Sequence, residues 1–429
     1  MNSRNSFINK KITLRTFMIY FLVTFILLLQ YKWFFIPSNF DSFIVKFNTD
    51  NSSSFIVLVI IAGLGYIIFD GVKRKKGLKI SNYKFAKYVI FLSVFFVIQI
   101  FYTMAKYPLE NNARMISSNL FYLVPLFYFI LMDLFRKYRN GFKYFINTFT
   151  VFNIILCLLM LFASIYYDNT GKLLLNFYNY DTMTRNDSLR VYSGGTLISI
   201  SCLISICFLF YIKLSSRQKV FHLVNIGVSL LEIIFILQTR TVIFIMICMI
   251  LLAILFTLNY KKIKVKEFIF IMASGIFFVY FLLRFNIFSR LSFTSTEISY
   301  INREEALSYF FNIGTKELLG IGLLTDSNPI YATILHGPNL TCYISDVGII
   351  GMFGKLGILS IIWYILICIV LFKMHKKTKN KRINKIPLLF FIFFVVTSFI
   401  NNYVNYAGIF LLPVAFALCE FLTERECYR

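Results

Sequence analysis

Arg190, Arg240, Arg290 and Arg303 are the residues of this chain best suited to hold an anion, because each stands in a segment that is not otherwise basic. A guanidinium placed singly binds phosphate oxygens as a bidentate fork, and in a partly dry site it stabilises a departing diphosphate without a metal. His336 adds an imidazole that can take a proton from a hydroxyl near neutral pH or donate to a phosphate. Glu304 and Glu305 offer carboxylates for the same proton. Gly320 and Gly322, in the run ELLGIGLL from Glu317 to Leu324, present backbone without side chains, and Asn339 follows His336 in LHGPNLTCYISDVGIIG. Each has a plainer reading beside this one: Arg190 and Arg240 snorkelling to phospholipid head groups, Arg290 anchoring a helix, His336 solvated in a loop.

Two further ionisable groups fall inside apolar runs, Glu232 in SLLEIIFILQ and Lys355 in GMFGKLGIL. Charged groups are costly in hydrocarbon unless paired or facing water. Glu232 and Lys355 are therefore expected to line one cavity, as a structural or a functional pair.

A membrane must position these groups. With 59% hydrophobic residues and 52 Phe in 429, the chain has more apolar surface than one water-soluble core can bury. That surface lies in runs such as FIVLVIIAGLGYIIF, long enough for about 30 Å of hydrocarbon and without the alternation of a barrel strand. The expected fold is an all-α, polytopic membrane bundle with twelve spans, near 16–36, 54–71, 88–105, 118–135, 145–166, 191–212, 220–238, 241–260, 267–285, 347–372, 386–400 and 407–422.

Lys and Arg cluster in alternate connections: the N-terminus, KRKKGLK at 73–79, RKYRNGFK at 136–143, Lys213 to Lys219, KKIKVK at 261–266 and KMHKKTKNKRINK at 373–385. By the positive-inside rule these connections and both termini are cytoplasmic. The chain then reads as one membrane domain over 1–429 with two long outer loops, 167–190 and 286–345. Arg240 falls in a tight outer turn between spans seven and eight, and Arg190 at the outer start of span six. Within the longer loop, 302–320 reads as an amphipathic helix lying on the outer surface. Asn302 would cap it, Leu307, Phe310 and Phe311 would form its apolar stripe, and Gly320 would end it. Gly348, Gly351, Gly354 and Gly357 recur every three residues down span ten, which suits the close approach of another helix.

The net charge of +25 sits in short loops set by topology and attraction to anionic lipid, so nucleic acid is not the expected partner. Of the eight cysteines only Cys342 is expected outside, which leaves no extracytoplasmic disulfide. The two other histidines, His222 and His375, fall on the cytoplasmic side, and no Asp-X-Asp is present. Neither a zinc site nor a metal-held nucleotide sugar is expected.

The order of these features, an arginine before span six, an arginine in the turn after span seven, NREEALSYF, LLGIGLL, His336 and ISDVGIIG, resembles the O-antigen polymerase and ligase family, which includes the Wzy capsule and exopolysaccharide polymerases. The resemblance covers about residues 185 to 372. It implies a GT-C-like, metal-independent membrane glycosyltransferase without cofactor, acting on undecaprenyl-diphosphate-linked oligosaccharide at the outer face of the plasma membrane. Arg190 and Arg240 would hold the diphosphate, Arg303 would match the arginine ahead of the G-x-G element, Gly320 and Gly322 that element, and His336 the loop histidine. The family commonly has His next to Asn, whereas Gly337 and Pro338 separate His336 from Asn339 here. Expected partners are the bilayer and, in the same pathway, a flippase and a chain-length regulator. A ligase of the same family and a lipid-linked oligosaccharide flippase are the alternatives; the long loop at 286–345 argues against the second.

Overall fold

In hydrocarbon every backbone N–H and C=O must find its partner within the protein, so the apolar runs fold as helices. The computed structural model describes residues 14–31, 52–73, 83–138, 140–172, 182–185, 188–191, 195–257, 298–326, 328–398 and 408–424. Helices α1 (Leu14–Gln30), α2 (Ser52–Lys73) and α3 (Ala86–Lys106) lead to a short α4 (Asn112–Asn119), where the Asn111 side chain accepts from the Arg114 N–H. A tighter 3-10 stretch, Leu120–Leu126, carries Pro125 and continues into α5 (Phe127–Lys137). Helix α6 (Gly141–Thr170) stops at left-handed Gly171 and is followed by the strands β1 (Thr182–Arg185) and β2 (Ser188–Val191).

Helix α7 (Gly195–Tyr211) precedes α8 (Ser216–Glu232), which opens on a reciprocal Ser215–Gln218 capping box. A π-helical turn, Ile233–Leu237, extends α8, and α9 (Arg240–Thr257) starts three residues later. The remaining elements are α10 (Ile298–Lys316), α11 (Ala332–His336), α12 (Gly348–Leu356), α13 (Ile358–Lys377), α14 (Lys385–Thr397) and α15 (Leu411–Glu424).

Among the described residues, five helical runs are long and apolar enough to cross a membrane: α3, α4 through α5, α6, α8 with its π turn, and α13. Shorter apolar helices, among them α1, α7, α9 and α14, complete the bundle. Each expected span overlaps a described helix except the ninth, 267–285, which lies outside the described residues together with Arg290.

The segment after α6 carries a hairpin, in which β1 and β2 pair antiparallel with Met183 opposite Arg190. Two details differ from expectation. Span ten is not one helix: Gly357, at φ +73°, separates α12 from α13. Helix α10 begins at Ile298, so Asn302 sits inside it rather than capping it, and Phe310 is buried while Leu307 and Phe311 are exposed. The stripe is divided because α10 packs on α12 within the fold, with Phe310 set against Gly354. His222 is buried in α8 and bonded to Ser205 at 3.0 Å.

The two ends of the bundle are tied differently. At the end where α3 begins, buried Glu420 accepts from the Tyr128 hydroxyl (2.6 Å), the Lys84 N–H (3.0 Å) and Arg136 (2.8 Å), and Arg136 also reaches Glu424 (2.6 Å). At the end where α3 finishes, the Leu109 N–H donates to the Tyr331 hydroxyl (3.3 Å) and Asn328 donates to the Leu109 carbonyl (2.8 Å). That second end carries the polar residues of interest.

Candidate functional site

The run ELLGIGLL forms the floor of the site. After α10 ends at Lys316 the chain enters the bundle in irregular form, and residues 320–324 are buried. A helix end leaves its last carbonyls without partners. Here the run supplies them: the Ile321 N–H donates to the Gly354 carbonyl (3.0 Å) and the Gly322 N–H to that of Lys355 (2.9 Å). Beyond the break, the Ile358 N–H donates to the Leu318 carbonyl (3.2 Å). Buried Gln99 on α3 bridges both sides, donating to the Leu319 (3.1 Å) and Leu356 (3.3 Å) carbonyls, and Thr103 accepts from the Leu323 N–H (2.8 Å).

The glycines are required by space. Gly320 has φ +67°, and a Cβ there would lie 2.5 Å from the Gly354 carbonyl oxygen; one on Gly357 would lie 2.0 Å from that of Leu318. Tyr102 seals the near side, donating to the Gly320 carbonyl at 2.9 Å. Gly320 is thus not the end of an amphipathic helix but part of an irregular plug set against a broken one.

The plug delivers Asp326 to its exit. Thr325 donates to Glu110 (2.6 Å), and the Asp326 carboxylate then meets Nε2 of His336, the last residue of α11. The other ring nitrogen, Nδ1, lies 3.3 Å from the Cys342 carbonyl oxygen. His336 is thus held between the Asp326 carboxylate and the Cys342 carbonyl, and it positions Asp326. The Asp326 side chain is 73% exposed and that of His336 only 19%, so the carboxylate is the group more open to a ligand.

Lys355, in the last turn of α12, where a cation suits the helix dipole, reaches toward the same place. Its Nζ lies 3.4 Å from Asn119 Oδ1, and Asp326 is the carboxylate whose charge it senses. Asn119 donates in turn to the Leu323 carbonyl (3.0 Å).

Helix α10 forms one wall. Glu305 accepts from Asn339 (2.7 Å) and Thr341 (2.9 Å), which fixes the chain beyond His336. The Tyr309 hydroxyl donates to the Thr333 and Ile334 carbonyls (3.0 Å each) and ties α10 to α11. Burial pushes the Tyr309 phenol up, as do its neighbours Cys342, Tyr107 and Glu317, so it remains a neutral donor. Burial and the Glu305 charge likewise push the Cys342 thiol up. Glu304 is exposed on the same helix, and half-buried Arg303 makes no hydrogen bond or ion pair with a described residue.

The other predicted residues gather elsewhere. Arg190 lies on β2, which packs against α6 and against the π turn Ile233–Leu237, and Arg240 opens α9 just beyond that turn. The hairpin therefore brings the chain around Arg190 close to the chain around Arg240. Among the described residues no hydrogen bond links this region to Asp326 or His336, which bond each other and, through His336, the Cys342 carbonyl. The expected Glu232–Lys355 pair does not form: Lys355 meets Asn119, and both carboxylate oxygens of Glu232 are buried without a hydrogen-bond partner among the described residues.

Sequence reasoning assigned the proton to His336, Glu304 or Glu305 and gave Asp326 no role. The available signal is its position, directly after a glycine-bearing apolar run and ten residues before His336. Compared with protein-family models and with curated proteins, the chain matches none.

Proposed function

We propose that the chain is a metal-independent membrane glycosyltransferase that polymerises undecaprenyl-diphosphate-linked oligosaccharide repeat units at the outer face of the plasma membrane. In this reading it has twelve spans in a GT-C-like bundle and cytoplasmic termini. The observation that carries it is Asp326: an exposed carboxylate gripped by a buried-side histidine, at the mouth of a broken helix that also holds Lys355. Such a carboxylate suits proton transfer from a sugar hydroxyl.

The step balances without a cofactor. The acceptor hydroxyl of the incoming repeat unit gives its proton to Asp326 as its oxygen bonds the anomeric carbon of the growing glycan. The bond from that carbon to the lipid diphosphate breaks, and the diphosphate leaves with the electron pair. Arg303 and, from the hairpin side, Arg190 and Arg240 answer its charge, which develops most in the transition state. His336 is the positioning residue, and Glu305 with Asn339 holds the wall.

Chain length is the test. A strain lacking this protein is expected to accumulate single lipid-linked repeat units on the outer face. Long lipid-linked chains would indicate a ligase instead, and single units confined to the inner face would indicate a flippase.

A further inference from the structure

Away from this site, α8 packs on α6 and α7 along a file of polar side chains. His222, Asn225, Ser229 and Glu232 are spaced three or four residues apart, so they share one face of α8 over about 15 Å, half of the hydrocarbon thickness. All four are buried. At the inner end of the file His222 meets Ser205 (3.0 Å). Next, Asn225 donates to Ser205 (2.9 Å) and Ser201 (3.1 Å), and Asn153 on α6 donates to Asn225 (2.9 Å) and to Ser229 (2.9 Å). One turn further on, Glu232 is fully buried, and neither of its carboxylate oxygens has a hydrogen-bond partner among the described residues.

Charging that carboxylate is costly, since among the described residues no hydrogen-bond donor offsets its desolvation. The Cys157 thiol on α6 is near enough to sense the Glu232 charge and also senses Cys202 on α7. Toward the hairpin, Arg190 is carried by β2 and Arg240 opens α9, on either side of the π turn that follows Glu232. The last backbone turn of this helix is itself irregular, ending at Gln238 with φ +50°. Such π turns break the regular hydrogen-bond ladder and let a helix open locally.

We propose that Glu232 is a reversible proton-binding site within the membrane, reached from the hairpin end past the π turn and backed by the hydrogen-bonded file that ends at His222. Its ligand is a proton rather than a metal ion, because among the described residues no cluster of three or more His, Cys, Asp or Glu converges there. Uptake forms one O–H bond on the carboxylate and neutralises it; release returns the proton to the outer water. This is a second site, independent of the Asp326 chemistry.

Infrared difference spectroscopy of the full chain in lipid vesicles, between low and high pH, reads the site directly. The expected result is a carboxylic-acid carbonyl band that appears at low pH, disappears at high pH, and is missing from Glu232→Gln, a near-isosteric variant whose helix content and melting are checked first. Identical difference spectra for the two proteins would overturn the proposal. So would a Glu232 band unmoved by pH, or one abolished by sodium at fixed pH, which would assign a cation instead. None of these outcomes depends on whether the chain polymerises glycan.

Discussion

At the scale of residues, the account turns on Asp326 and His336 acting as one unit. Groups that act together lose activity non-additively. Asp326→Asn is expected to lower the polymerisation rate about 10²- to 10⁴-fold, the usual contribution of a proton-transfer group. His336→Gln should cost less, and adding it to Asp326→Asn should cost almost nothing further; independent, multiplying losses in the double variant would separate the two residues. Cys342 gives a second check, since its thiol is buried and pushed up. Thiolate is the reactive form, so a water-soluble maleimide at neutral pH should leave Cys342 unmodified until the protein is denatured. The sequence makes the cations legible, because a single arginine in a mildly acidic loop stands out. It hides Asp326, whose partner is set by the fold of the plug, and it names His336 without its contacts to Asp326 and the Cys342 carbonyl, which appear only once α11 and Cys342 are placed.

At the scale of elements, the glycine pattern is legible as close packing but not as a break. Three-residue spacing predicts a continuous helix face, and α12 does meet α10 through Gly354. What spacing cannot reveal is that ELLGIGLL supplies the donors that let the helix stop at Gly357, since the two segments lie far apart in the chain. The break can be tested by substitution. Gly320→Ala forces a left-handed alanine, worth about 1 to 3 kcal/mol, and a contact 2.5 Å from the Gly354 oxygen. It is expected to lower both the melting temperature in detergent and the activity, whereas Gly65→Ala, with open space around its Cβ, should do neither. Equal behaviour of the two variants would remove the plug from the account.

At the scale of the whole molecule, the apolar runs and the alternation of basic loops anticipate the helical bundle, and the contacts respect that alternation. Lys84 and Arg136, from two connections expected on one side, meet Glu420 of the expected last span at one end, while Leu109, Asn328 and Tyr331 meet at the other. Glu420→Leu removes the buried carboxylate that Arg136, Tyr128 and the Lys84 N–H share and should cost about 3 to 5 kcal/mol, seen as a large drop in melting temperature with the Asp326 site unaltered in the surviving fold. The resemblance to glycan polymerases concerns the other end and is tested there. Purified protein in vesicles, supplied only with undecaprenyl-diphosphate-linked repeat units and a chelator, should extend them into longer lipid-linked glycan and release free lipid diphosphate, and the Asp326→Asn protein, equally folded, should not. Products of unchanged length from the native protein, or equal polymer from Asp326→Asn, would contradict the account.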